Sequence, residues 1–252
     1  MENRTIIVND VLTSYVYYRW ESSKFFVFLH GRWRSKEDWN WYFNDLENKK
    51  IWFLAIDFPW FWKSSMPTET RWVGEYSDFI INLLDKLEIL SPVSLVAHSF
   101  GWRVAFYLSV SYKDRIKDLF LIAPGWIEKE HTKFHKSLLN VGKKVLSPNI
   151  MKPLRKQIKN MMGSKDYLES NDMKWIFLKV VNQDLRYLLV DISQHVFLYW
   201  WDSDDQILRR QIDYMRNNIK YLEFREYSNV WHDVHIYQKD DILADMINND
   251  TN

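Results

Sequence analysis

Apolar and polar residues follow two rhythms along this chain. Eight short runs rich in β-branched and aromatic residues, at 4–8, 14–19, 25–29, 51–57, 93–97, 118–123, 195–200 and 221–226, have the length and composition of strands. At 36–48, 72–89, 101–112, 205–218 and 238–248, apolar residues instead recur every three or four positions, the signature of amphipathic helices. Strands alternating with helices predict an α/β fold with a mostly parallel sheet covered on both faces. The first two strands, joined through Asn9-Asp10, predict an antiparallel start. Ligands of such sheets bind beyond the carboxyl ends of the strands.

One stretch breaks the rhythm. Residues 127–190 hold no good strand, only helical pattern at 129–146, 150–162 and 172–185, with breaks at Ser147-Pro148 and Gly163. A helical insertion into an otherwise complete sheet predicts a cap or lid on a core made of 1–126 and 191–252. Across 128–165 ten Lys or Arg face two Glu, which reads as a solvated helix face or as a surface selecting anionic substrates.

Composition narrows the classes. Lys plus Arg number 34 against 33 Asp plus Glu, so overall charge points to neither nucleic acid nor a membrane surface. With no cysteine there is neither a disulfide framework nor a thiolate metal site, which fits a reducing compartment. The opening residues lack the apolar core of a signal peptide, and no 18 consecutive residues are apolar. A cytoplasmic protein is expected.

The chemistry concentrates where the fifth strand meets the next helix. Ala97, Ser99 and Gly101 occupy G-x-S-x-G spacing, in which residues without bulk let the chain turn sharply and leave the serine hydroxyl exposed. Further pieces are Phe-Leu-His30-Gly31-Arg-Trp, Ala-Ile-Asp57-Phe-Pro59, Leu-Ile-Ala-Pro124, Trp-Trp-Asp-Ser-Asp204-Asp and Asn-Val-Trp-His232. In this order and at this spacing they resemble the α/β-hydrolase family nearly end to end.

The resemblance implies an α/β-hydrolase fold and a Ser-Asp-His triad in the family's chain order, which Ser99, Asp204 and His232 obey. A serine hydroxyl is a poor nucleophile until a base takes its proton, and an acid holds that base in the required tautomer. Asp202 and Asp205 are neighbouring alternatives for the acid, and His235 for the base. The family pattern also implies an oxyanion hole made by the backbone N–H groups of Phe100 and Arg32. His30, Gly31, His98 and Gly101 are expected to support the loops around the site. Asp57 reads as a turn residue ending a strand, and His195 as the residue opening one. His131 and His135 have helical ligand spacing but no third ligand, so neither metal nor cofactor is expected.

Against this pattern one residue type is out of place. Glycine numbers 6 of 252, well below the usual ~7%, while tryptophan numbers 14. Trp33, Trp60, Trp62, Trp102, Trp201 and Trp231 fall where the resemblance implies glycine, with Trp20 and Trp126 as further cases. Trp39 and Trp175 read as ordinary helix residues. Overpacking a tight site costs ~1–3 kcal/mol, so six such sites would consume much of a domain's ~5–15 kcal/mol. The expectation is recoding: a UGA codon read as glycine in the source cell and written here as tryptophan. The contrasting expectation is a divergent homologue whose pocket is filled by aromatic rings.

The function expected is a serine hydrolase acting on a small-molecule ester, thioester or activated carbon–carbon bond. The alternatives are a non-catalytic ligand-binding member of the family and an acyltransferase using the same triad. A serine nucleophile argues against the dehalogenase and epoxide hydrolase branches, which need a carboxylate there. Nucleic-acid partners are not expected, and the sequence does not decide the oligomeric state.

Overall fold

A computed structural model of the chain describes residues 3–32, 34–65, 72–125, 180–204, 207–228 and 233–249. The chain forms two compact units, Met1–Ile127 with Asp184–Asn252, and Glu128–Gln183. The expected lid helices at 129–146 and 150–162, and residues 172–179 of the third, lie outside the described residues, as do Trp33, Trp126, His131, His135, Gly163, Trp175, Asp205, Trp231 and His232.

All eight expected strands form one sheet: β1 (Asn3–Val8), β2 (Val11–Tyr18), β3 (Phe25–Leu29), β4 (Trp52–Ile56), β5 (Val93–His98), β6 (Ile116–Ile122), β7 (His195–Trp201) and β8 (Leu222–Tyr227). Their spatial order is β1-β2-β4-β3-β5-β6-β7-β8. β1 and β4 each flank β2 antiparallel, and all later pairings are parallel. The central strands β3, β4 and β5 are buried on both faces almost throughout, which is why their sequences read as continuous apolar runs. The Asn9-Asp10 link has positive φ at both residues, 46° and 63°, the backbone of a two-residue hairpin turn.

Among the described residues the α-helices are α1 (Asn40–Asn48), α2 (Val73–Lys86), α3 (Gly101–Ser111), α4 (Arg209–Asn218), α5 (Val234–Tyr237) and α6 (Lys239–Asn248). α2 buries Val73, Tyr76, Phe79, Ile80, Leu83 and Leu84, the three-and-four spacing read from the sequence. Its start is closed by the Glu75 carboxylate, which accepts the Trp72 N–H. Two expectations shift in detail. The helix expected from 36 begins as a 3-10 turn, Lys36–Trp39, capped by the Ser35 hydroxyl accepting the Glu37 N–H at 3.2 Å. The helix expected from 205 starts at Arg209, because the Asp204 carboxylate takes the Ile207 N–H at 3.0 Å and holds the chain in a loop.

Among the described residues, left-handed backbone falls on Asn9, Asp10, Lys50, Trp60, Trp62, Glu88, Ser99 and Ala123, and on no glycine. Lys50 and Glu88 end α1 and α2, where the N–H of Ile51 reaches Leu46 O at 2.9 Å and that of Ile89 reaches Leu84 O at 2.8 Å. Tryptophan therefore does not fill every turn that glycine vacates. Among the described residues it takes two left-handed positions, Trp60 and Trp62, both in the turn after β4.

Candidate active site

Ser99 sits between β5 and α3 with φ 44°, a conformation that costs a non-glycine residue and persists where surrounding structure holds it. Its N–H donates to Ile122 O of β6 at 3.0 Å, and its carbonyl accepts the Trp102 N–H at 3.2 Å. The residue is half-buried at the carboxyl edge of the sheet. The turn can be this tight because α3 presses on β3: a Cβ at Gly101 would stand 2.5 Å from Leu29 O. Glycine is required there by close approach.

The loop after β3 comes to the same place. A Cβ on Gly31 would meet His98 Nδ1 at 2.8 Å and Ser99 Cβ at 3.1 Å, so this loop runs directly against the serine. His30 fixes it. Its Nδ1–H donates to Gly31 O at 2.8 Å and its Nε2 accepts the Phe58 N–H at 3.1 Å, which defines the tautomer. Burial pushes its pKa below the ordinary histidine value, so it is a neutral brace with both nitrogens engaged. Arg32 follows, half-buried.

Asp204 is buried, with Oδ1 taken by the Ile207 N–H. Asp202 is exposed and accepts hydrogen bonds from Ser203 at 2.9 Å and Ser228 at 2.8 Å. His235 is the second residue of α5, fully buried, its ring 4.2 Å from that of His98 and 5.0 Å from that of Trp39. Its carbonyl accepts the Tyr42 hydroxyl at 2.7 Å. Asp38, His98 and His235 bring potential ligand atoms within 4.8 Å of one another. The two imidazoles overlap at a tilt of 35°, however, so their in-plane lone pairs run side by side rather than converging on one ion. His195 opens β7, its Nε2 3.3 Å from the Glu223 carboxylate.

Sequence reasoning missed the ionic scaffold beneath the site. Lys36 and Asp57 form a fully buried pair, Nζ to Oδ2 2.8 Å, and the Lys36 N–H donates to Oδ1 at 2.9 Å. Arg34 pairs with Asp233, the residue after His232, and stands 3.5 Å from Asp38. It thereby ties the loop after β3 to the segment that follows position 232. Burial pushes the Asp38 carboxyl up to about 6, against the pull of Arg34. The available signal was a run of charges, Arg34 to Asp38, at the start of an apolar-periodic helix.

Trp102 corrects one expectation. The start of α3 has room for an indole: Trp102 is buried and packs edge-on against Phe106 at 4.9 Å, with the Arg103 guanidinium 5.0 Å from its ring centre.

A statistical model of the alpha/beta hydrolase family matches residues 26–244. Among solved structures, a bacterial membrane phospholipase A described as a virulence factor superposes with TM-score 0.78 at 18% identity, covering 98% of this chain and 87% of its own. An N-acyl homoserine lactone degrading enzyme gives 0.75 at 17%, covering 95% and 97%. The meta-cleavage product hydrolase of Pseudomonas fluorescens gives 0.73 at 15%, covering 97% of both chains. No curated protein matches the sequence. Among the described residues no helix is long and apolar enough to cross a membrane.

Proposed function

Starting from the fact that this chain belongs to the α/β-hydrolase family, we propose that it is a serine hydrolase working through Ser99, His232 and Asp204. The observation that carries the reading is Ser99 itself, half-buried and left-handed at the strand-to-helix turn, with the Gly31 loop against its Cβ. In this reading His232 takes the hydroxyl proton as Oγ attacks an acyl carbon, and buried Asp204 orients the imidazole. The backbone N–H groups of Phe100 and Arg32 hold the oxyanion. His232 then returns the proton to the leaving group; in the second half it takes a proton from water, whose oxygen attacks the acyl carbon, and gives it to Ser99 Oγ as the acyl–oxygen bond breaks and the acid leaves.

Burial of Asp204 favours it over exposed Asp202 as the acid. The packing of His235 between His98 and Trp39 favours His232 as the base. The substrate class is a small-molecule ester, thioester or activated carbon–carbon bond, in keeping with structural neighbours that include a phospholipase, a lactone-degrading enzyme and a meta-cleavage product hydrolase. Residues 127–190 serve as the cap, and the absence of cysteine suits a cytoplasmic setting.

A fluorophosphonate probe tests this. Labelling of the native protein that disappears in Ser99→Ala is the expected result. A folded protein that takes no label would be a ligand-binding member, and product formed only with an added alcohol or thiol would mark an acyltransferase.

A further inference from the structure

The turn after β4 assigns an identity to two residues of this protein. Trp60 and Trp62 have φ 76° and 48°. In this region a β-carbon crowds the following carbonyl, and a bulky side chain there is a true outlier, whereas glycine enters it without penalty.

The turn has no freedom to escape. The Trp60 N–H donates to Ser65 O at 3.2 Å, Phe61 N–H to Phe58 O at 2.9 Å and Ser64 N–H to Phe61 O at 3.0 Å. Its far end is tied to β2, by the Ser65 N–H to Leu12 O at 2.7 Å and by the Ser64 hydroxyl, which accepts the Ser14 N–H at 3.0 Å. Its near end is held by His30 through Phe58. With the backbone pinned at both ends, the side chain has to suit the dihedrals.

Other left-handed positions carry residues that manage there, such as Asn9 and Asp10, or that end helices, such as Lys50 and Glu88. The bulkiest residue type has no such role. Elsewhere tryptophan sits where it belongs, as at Trp39 in the core and Trp52 in β4.

We infer that positions 60 and 62 are glycine in the working protein, placed there by a UGA codon that the source cell reads as glycine and that is written here as tryptophan. The consequence reaches the site. Phe58 and Phe61 pack on the ring of Phe100, each at 5.6 Å, so relaxing this turn steadies the residue that follows the nucleophile.

The test is peptide mass spectrometry of a tryptic digest of the protein from its native source, which depends on the residues alone and not on whether Ser99 reacts. The peptide Ile51–Lys63 is expected to contain one tryptophan, at 52, and glycine at 60 and 62, while Glu37–Lys49 keeps both Trp39 and Trp41. Three tryptophans in Ile51–Lys63 would overturn the inference. A recombinant Trp60→Gly/Trp62→Gly variant should melt several degrees higher than the chain as written. A lower melting temperature would count against the inference.

Discussion

Among the turns at the carboxyl edge of the sheet that place non-glycine residues in left-handed backbone, those after β5 and β4 do so for different reasons. After β5 the strained residue is Ser99, small and polar, held between a hydrogen bond to β6 and a helix that lies against β3 through Gly101. After β4 the strained residues are Trp60 and Trp62, large and apolar, in a turn whose polar groups belong to its neighbours. Strain that displays the proposed nucleophile has a use, and the rest of the fold offsets its cost. Strain on an indole displays nothing. The same dihedral therefore supports the proposed nucleophile in one turn and the proposed glycine identity in the other.

The sharpest way to break the comparison is Ser99→Ala. Turnover of an activated ester should fall by about 10⁴-fold or more while the melting temperature stays the same or rises, as expected of a residue whose strain serves chemistry. Equal activity in the variant would remove the functional half of the contrast.

Next comes the pair that anchors the β4 turn. Lys36→Met leaves Asp57 charged and buried with its cation gone, and denaturant unfolding should show a loss of about 3–5 kcal/mol. The double replacement Lys36→Met with Asp57→Leu should recover much of it. An unchanged single variant would show that the pair does not hold the turn.

Gly101→Ala probes the β5 turn from its packing side. A methyl group 2.5 Å from Leu29 O forces α3 away from β3, so a loss of ~1–3 kcal/mol together with reduced fluorophosphonate labelling is expected. Stability lost with labelling intact would separate the helix position from the display of the serine.

The smallest effect is a pH dependence beneath the Ser99 turn. Asp38, beside His98 and His235, has its carboxyl pushed up from an ordinary 3.8 to about 6 by burial. The folded state then keeps a proton that the unfolded chain releases, so the group's contribution is full below about pH 4 and is lost as pH rises through about 6. Asp38→Asn should flatten the stability profile in that window and change stability at neutral pH by ~1–3 kcal/mol. Parallel profiles for variant and native protein would reject the assignment.

The eight strands were legible because burial on both faces of a parallel sheet leaves continuous apolar runs, as at Phe25–Leu29 and Val93–His98. The serine turn was legible because it needs small residues at fixed spacing. The Lys36–Asp57 and Arg34–Asp233 pairs were not, since each joins positions 21 and 199 residues apart and no local pattern encodes such a meeting. Trp102 misled for a related reason: whether an indole fits depends on Phe106 and Arg103 around it, not on its neighbour Gly101.

By itself, then, the sequence determined the order and type of the elements, the family and the residue at the centre of the expected chemistry, because periodicity, turn spacing and motif order are local properties. Only the tertiary structure decided which charges are buried together, which nitrogen of His30 carries the proton, and which tryptophans stand in backbone that an indole does not suit. Those depend on what the fold brings to one place, and on dihedral angles that long-range hydrogen bonds impose.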